Sequence, residues 1–313
     1  MHISKENLLD THKRIKPFIH NTPVLSSSLI NEIVGAEIHF KCENFQKMGA
    51  FKMRGALNAI LQLSDEQKKK GVATHSSGNF AQALALSAKL QGIKAYIVMP
   101  ENAPEVKKKA VKGYGGQVIE CEANLDARET TLNKVVEETG ATFLHPYNDY
   151  QVIQGQGTAA MELIEEYADL DYLITPVGGG GLLAGTALAA YHLSPKTKVI
   201  AGEPFGADDA WQSLEKGKLI PQTNPQTIAD GLLTSLGDKT FPLIRDYVEK
   251  IVRVEEDEIV SAMRLIWERM KLIVEPSSAV ALAAILKEKE KYQGKKIGLI
   301  LSGGNVDLGN LPF

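Results

Sequence analysis

The stretch that most constrains the fold is Tyr172-Leu-Ile-Thr-Pro-Val177, then Gly178-Gly179-Gly180-Gly181, then Leu182-Leu-Ala-Gly-Thr-Ala-Leu-Ala-Ala190. An apolar run rich in β-branched residues passes through glycine alone into an alanine-rich helical pattern. Where a strand becomes a helix without side chains, the backbone N–H groups are bare. The positive end of the helix dipole adds to them, and the result is a socket for a phosphate. A plain turn needs one or two glycines, so a run of this length favours anion binding.

The same alternation of strand, turn and helix recurs along the chain. Glu37–Cys42, Val72–His75, Ala95–Met99, Gln117–Cys121, Thr142–His145, Lys198–Glu203, Ile251–Val254 and Lys296–Leu301 read as strands. Helical patterns lie over Asn7–Phe18, from about Lys52 to Leu61, up to Leu90, after Pro104, and over Asp126–Thr139, Thr158–Tyr167 and Glu256–Lys271, with another from Pro276. This order predicts an α/β fold with parallel sheets covered on both faces. In such folds ligands collect at the carboxyl ends of strands. Three polar or glycine-rich turns lie there: Ser76–Asn79, Gly178–Gly181 and Ser302–Asn305. At 313 residues the chain exceeds one ordinary core, so two lobes are expected, with a composition shift near Tyr150.

Bulk properties narrow the function. A formal charge of −3 with no arginine-rich stripe gives no footprint for nucleic acid. The lysine runs 68–70 and 107–109 read as solvated helix faces. Cys42 and Cys121 sit in strand-like runs outside any metal-spacing motif, which predicts reduced thiols. Met1–His20 lacks the apolar core of a signal peptide, and the longest nearly apolar stretch, Gly181–Ala190, is too short to span a bilayer. No membrane association and a cytoplasmic setting are therefore expected.

Two phosphate-bearing ligands compete for the glycine turn. Gly179-Gly-Gly181-Leu-Leu-Ala184 formally satisfies the dinucleotide pattern, with Glu203 at the end of the next strand as the ribose acid. A phosphate-loop NTPase fits worse, because no Gly-Lys-Ser/Thr follows. Pyridoxal phosphate needs the same socket, a lysine that forms a Schiff base, and a partner for the ring nitrogen. Lys52, at the start of a helix, meets the positive dipole end, which favours its neutral amine. Any one lysine is otherwise an ordinary surface charge.

Phe51-Lys52-Met-Arg54-Gly55-Ala56, Ser76-Ser77-Gly78-Asn79, Gly178–Gly181 and Ser302-Gly-Gly-Asn305 resemble the motifs of the fold-type II pyridoxal-phosphate enzymes. Among them the chain is most similar to serine racemases and the short serine/threonine dehydratases. The likeness continues through Gly155-Gln-Gly-Thr158, Thr227–Gly231, Trp267–Lys271 and Glu275-Pro276.

The resemblance implies two lobes, each a mainly parallel twisted sheet covered by helices, like the tryptophan synthase β subunit. Residues 1–70 and 149–313 would form the large cofactor-binding domain and 71–148 a small mobile one. It implies that Lys52 carries the cofactor and is the base on one face of the substrate. Phe51 would stack on the ring, Gly178, Gly179, Gly180 and Gly181 would hold the phosphate, and Asn79 would bond the ring hydroxyl. Gly231 and Glu275 would also adjoin the cofactor. Ser76, Ser77, Gly78 and Asn79 would receive the substrate carboxylate, with Arg128 near the site's mouth.

Ser77 would be the acid/base opposite Lys52. Ser302, a hydroxyl facing the ring nitrogen, cannot hold that nitrogen protonated as a carboxylate would, and the weaker electron sink favours loss of a β-hydroxyl. Taken alone, Ser302 fits equally well as a helix N-cap ahead of Gly303. Glu203, Ala207 and Asp209 match the family's divalent-cation site, suited to Mg²⁺, Ca²⁺ or Mn²⁺; in isolation they pass for a polar turn.

The implied activity is dehydration and deamination of serine or threonine to the 2-oxo acid and ammonia, with serine racemisation alongside. The expected partners are a small hydroxy amino acid as substrate, a nucleotide effector and a second copy in a homodimer. Two departures stand out: Phe80 replaces the histidine that many members carry after Ser-Ser-Gly-Asn, and Ala50 replaces serine. Tyr147 looks like the dehydratase form. Alternatives are a 3-hydroxyaspartate dehydratase, a β-replacement enzyme, or a non-catalytic sensor that binds the cofactor or a nucleotide.

Overall fold

A computed structural model describes residues 3–313. Met1 and His2, the start of the segment read as lacking a signal peptide's apolar core, lie outside the described residues. Among the described residues ten strands follow one another: β1 Val24–Leu25, β2 Glu37–Cys42, β3 Val72–His75, β4 Ala95–Pro100, β5 Gln117–Cys121, β6 Thr142–Phe143, β7 Tyr172–Pro176, β8 Lys198–Pro204, β9 Lys250–Val254 and β10 Lys296–Leu301. They form a six-stranded sheet in the order β1-β2-β10-β7-β8-β9 and a four-stranded sheet in the order β5-β4-β3-β6. Every pairing is parallel except that of the short β1 with β2. The α/β architecture with helix-covered parallel sheets is thus as the alternation predicts.

Strand residues alternate between two cores. Ile174, Ile200, Val252 and Leu299 pack on one face of the large sheet. Leu173, Val199, Ala201 and Ile300 pack on the other. Such strands are apolar on both sides because helices cover both faces. Each fully buried aliphatic side chain contributes about 2 kcal/mol. In the small sheet, Val72, Ile97 and Met99 face one cluster, and Ala73 and Val98 another.

Register places the site. Leu301 pairs with Cys42 and Leu299 with Ile174, so β2, β10 and β7 end side by side. The turns after them, 43–51, 302–305 and 177–180, therefore meet at one edge. The segment Ala50-Phe51 is fixed there by an isolated bridge from Ala50 to Gly303 and by the Phe51 N–H donating to the Ser302 carbonyl at 3.0 Å.

Several elements differ from the pattern reading. The helix expected over Thr158–Tyr167 starts at Tyr150 and runs to Glu166, capped by Asp149, whose Oδ1 accepts the Gln151 N–H at 2.7 Å. Gly155 and Gly157 hide this helix from a propensity reading. Helices Ser28–Val34, Asp209–Lys216 and Thr240–Tyr247 were not legible, being too short for periodicity to stand out, whereas the helical setting read for Lys68–Lys70 is the helix Asp65–Lys70. The lysines at 107–109 are not a uniformly solvated face. Lys108 is buried against Glu120 at 3.1 Å and Glu105 at 3.4 Å, and Lys107 pairs with Asp230. Cys42 and Cys121 are free thiols. No helix among the described residues is long and apolar enough to cross a membrane.

Candidate active site

Lys52 opens the helix Lys52–Leu61, as its setting predicts, and Phe51 is the residue before the first turn. The Lys52 Nζ donates to the Pro146 carbonyl at 3.0 Å. It lies 5.1 Å from the ring centroid of Phe51 and 5.9 Å from that of Phe80. The side chain as a whole is half-buried, but the amine is desolvated. Burial lowers its pKa from 10.5 to about 8, against a smaller upward pull from Glu275. Desolvated, with one carbonyl partner and no carboxylate in contact, the amine gives up its proton far more readily than an exposed lysine, as a nucleophile or base requires.

The glycine turn follows β7 and leads into the helix Gly181–Leu193. Gly180 has φ +84°, which excludes most side chains. A Cβ on Gly179 would lie 2.4 Å from the Tyr147 ring, and one on Gly178 would lie 2.8 Å from Leu232 Cα. Tyr147 therefore covers one side of the turn. Among the described residues, no protein acceptor takes the N–H groups of Gly178, Gly179, Gly180 or Gly181. Four unpaired amides at a helix start suit the phosphate of pyridoxal phosphate.

Ser302 ends β10 and is 3% exposed. No helix follows it, so the capping alternative drops out. Its hydroxyl has no protein partner, while its carbonyl holds the Phe51 N–H. Glu275 precedes the helix Pro276–Lys287. Its carboxylate accepts from Asn79 Nδ2 at 2.9 and 3.2 Å and from the Asn305 N–H at 3.2 Å. Asn305 Nδ2 also donates to Asn79 Oδ1 at 2.8 Å. Both polar ends of the Asn79 side chain are thus engaged within the protein. Burial, then the charge of Asp230, raises the Glu275 carboxyl from 4.5 to about 7, while Asn79 opposes the rise. Gly231 donates its N–H to Ser277 Oγ at 2.9 Å, beside the same helix start.

On the small-sheet side, Ser76 and Ser77 follow β3, and Gly78 precedes the helix Asn79–Leu90. Ser76 Oγ accepts the Gly78 N–H at 3.4 Å, and the Ser77 hydroxyl has no protein partner. All three residues are partly exposed. Arg128, on the helix Leu125–Thr139, has a buried Nε with no acceptor. Its charge reaches His75, the neighbour of Ser76, whose pKa is lowered by burial first, with Glu129 opposing and Arg128 assisting.

Glu203, Ala207 and Asp209 form a separate group where β8 ends. Glu203 is fully buried and accepts from the N–H groups of Ala210 at 2.9 Å and Trp211 at 2.8 Å. Asp209 Oδ2 accepts from Leu236 at 3.0 Å, and its Oδ1 is buried without a partner. Burial and then the Asp209 charge push Glu203 well above 4.5, and burial lifts Asp209 from 3.8 to about 7. The nearby cation Arg253 is taken by Asp208 at 2.8 Å. Both Glu203 oxygens are thus engaged by backbone N–H groups, Asp209 Oδ1 is left open, and no group of three or more His, Cys, Asp or Glu side chains able to hold a metal ion occurs among the described residues.

Three features escaped the sequence reading: the Pro146 carbonyl, which holds the lysine; Tyr147 against the glycine turn; and Asn305, which joins Asn79 to Glu275. Asn305 was visible as the end of the Ser302-Gly-Gly-Asn305 motif but carried no signal of its partners.

Residues 15–303 match the family described as "Pyridoxal-phosphate dependent enzyme". The chain belongs to this family, which decides the contest over the glycine turn against the dinucleotide. Within it, the chain is similar to serine racemase of Dictyostelium discoideum, whose crystal structure shares 52% identity and a TM-score of 0.94, covering 98% of this chain and 99% of that one. It is 51% identical to the beta-hydroxyaspartate dehydratase of Paracoccus denitrificans, with 98% of each chain covered. The crystal structure of a threonine deaminase from T.th. shares 42% identity with a TM-score of 0.93, covering 97% of this chain and 99% of that one.

Proposed function

We propose that the protein eliminates water from serine or threonine, that the resulting enamine takes water back as it hydrolyses to the 2-oxo acid and ammonia, and that serine is racemised at the same site. Pyridoxal phosphate would be held by Lys52, Phe51, Asn79, Gly178–Gly181, Gly231, Glu275 and Ser302. When bound, this group supplies an electron sink for the bond broken at the substrate Cα. The observation that carries the reading is the Lys52 amine, desolvated and facing a single carbonyl, in one site with four unpaired glycine amides and the unpartnered Ser302 hydroxyl.

The protein's own groups divide the work. Lys52 removes the Cα proton on one face. Ser77, on the small-sheet side, returns a proton on the other, which gives racemisation. The bare N–H groups that open the helix Asn79–Leu90, with the hydroxyls of Ser76 and Ser77, receive the substrate carboxylate. Arg128 adds positive charge at the mouth. Ser302 accepts or donates to the ring nitrogen without fixing a positive charge on it, which favours elimination over reactions that need a long-lived anion.

The two sheets support a division into lobes, 1–70 with 149–313 and 71–148, the smaller closing over the substrate. Glu203, Ala207 and Asp209 would hold Mg²⁺ or a similar cation away from the chemistry. The family likeness supports a homodimer in the cytoplasm with a nucleotide effector.

A second reading, 3-hydroxyaspartate as substrate, is favoured by the Paracoccus relative and by the unpaired Arg128 Nε. Phe80 opposes it: its ring is buried beside Lys52 and offers no donor to a second carboxylate. Incubating the protein with pyridoxal phosphate and each substrate in turn tests both readings. Pyruvate from serine together with D-serine supports the first. Oxaloacetate alone, from hydroxyaspartate, replaces it with the second.

A further inference from the structure

The first turn of the Lys52 helix has no side-chain cap and no acidic residue, and its first residue is itself a cation at the positive end of the dipole. What holds it lies two residues on. Arg54 is fully buried, and each of its five N–H groups has an acceptor. Nε and Nη2 grip Glu43 at 2.7 and 2.8 Å, while Nη1 and Nη2 grip Glu162 at 2.8 and 2.7 Å. Nη1 also reaches Thr158 Oγ1 at 3.1 Å. Lys41 Nζ meets Glu162 at 2.7 Å and His12 Nε2 meets it at 3.2 Å. Burial alone would raise the Glu162 carboxyl, yet bonds from His12 and Arg54 and the charges of Arg54 and Lys41 hold it well below the usual range.

Such a network is poorly explained by stability, because apolar residues of similar volume commonly stabilise a core as well or better. Its geometry offers another explanation. Thr158 and Glu162 lie on the helix Tyr150–Glu166, which touches the Lys52 helix on one side and the glycine-turn helix on the other. A Cβ on Gly155 would lie 2.5 Å from Gly55 Cα, and one on Gly157 would lie 2.6 Å from the Gly185 carbonyl oxygen. Gln156 Oε1 accepts the Gly55 N–H at 3.1 Å. One rigid connection thus runs from Lys52 through Arg54 and the middle helix to the turn 178–181.

We propose that Arg54 is a positioning residue that sets the distance between the Lys52 amine and the glycine turn. A cofactor whose phosphate rested on the turn would then have its aldehyde carbon within reach of the Lys52 amine, the group that would hold it covalently with loss of water. This rests on the pyridoxal-phosphate reading above. It accounts for Arg54 and for Gly155-Gln-Gly-Thr158, which that reading leaves without a role.

The test compares two ligands by equilibrium titration: pyridoxal 5′-phosphate, and 4′-deoxypyridoxine 5′-phosphate, which keeps ring and phosphate but has no aldehyde. In Arg54→Lys, which retains charge but loses the planar fork, pyridoxal phosphate should bind about tenfold more weakly. The deoxy analogue should bind within about twofold of the unsubstituted protein. Equal weakening of both ligands, or no weakening of either, overturns the proposal. Thermal melting reports whether the variant folds. If it does not, Thr158→Val removes one acceptor at constant shape and should weaken pyridoxal phosphate alone by about threefold. Equal effects on both ligands there overturn it too. If the unsubstituted protein fails to prefer pyridoxal phosphate over the analogue, or Lys52→Ala keeps the preference, the cofactor reading itself has failed.

Discussion

The two halves of the site are built differently. On the large-sheet side, Ser302 and Glu275 are each 3% exposed, the Phe51 backbone is pinned to Ser302, and Tyr147 packs on the glycine turn. On the small-sheet side, Ser76, Ser77 and Gly78 are partly exposed, and their one side-chain bond is a 3.4 Å contact within the turn itself. The halves are joined by Asn79 bonded to Glu275 and Asn305, by the ion pair of Lys107 with Asp230, whose members are 23% and 48% exposed, and by the packing of the Lys52 helix on the helix Asn79–Leu90. Exposed pairs of this kind contribute about 0.2–1 kcal/mol. The contrast fits the proposed division of labour, with holding on the large-sheet side and substrate handling on the small-sheet side.

Substitutions on the rigid side should therefore abolish function, and those on the looser side should redirect it. The largest expected effect is Lys52→Ala, with a fall of about 10³-fold or more in 2-oxo acid formation, read by a coupled dehydrogenase assay. Gly179→Ala comes next. Its Cβ would press on the Tyr147 ring, so we expect cofactor affinity to drop by about tenfold or more and stability by about 1–3 kcal/mol, measured by titration and melting. On the other side, Ser77→Ala should suppress D-serine formation from L-serine while pyruvate formation persists, as chiral chromatography would show. Equal loss of both products would erase the distinction between the halves.

A smaller effect concerns Glu203 and Asp209, remote from both halves. Burial raises Asp209 from 3.8 to about 7, so its contribution to stability falls as pH rises between those values. A divalent cation should offset that loss. Adding Mg²⁺ should raise the melting temperature by about 2–4 °C well above pH 7 and by less below it, where protons compete. No shift at any pH would remove the cation from the account.

The parallel sheets, the glycine turn and the place of Lys52 at a helix start were legible because each has a local signature. Gly178–Gly181 breaks both propensities at once, and Lys52 stands just before an apolar face. The helix Tyr150–Glu166 was half-lost because Gly155 and Gly157 answer to neighbouring backbones rather than to the helix itself. Lys108 and Lys107 misled for a similar reason, since Glu120 sits on the next strand, 12 residues on, and Asp230 is 123 residues away. Arg54 is the extreme case. Its partners are 11, 104 and 108 residues away, and no pattern around it announces them.

The central claim is most directly tested by titrating pyridoxal phosphate into the purified protein and recording its absorbance. The account predicts a band near roughly 410–420 nm that saturates at one cofactor per chain and is absent from Lys52→Ala. A spectrum that is merely the sum of free cofactor and protein, or a band that survives in Lys52→Ala, would contradict it.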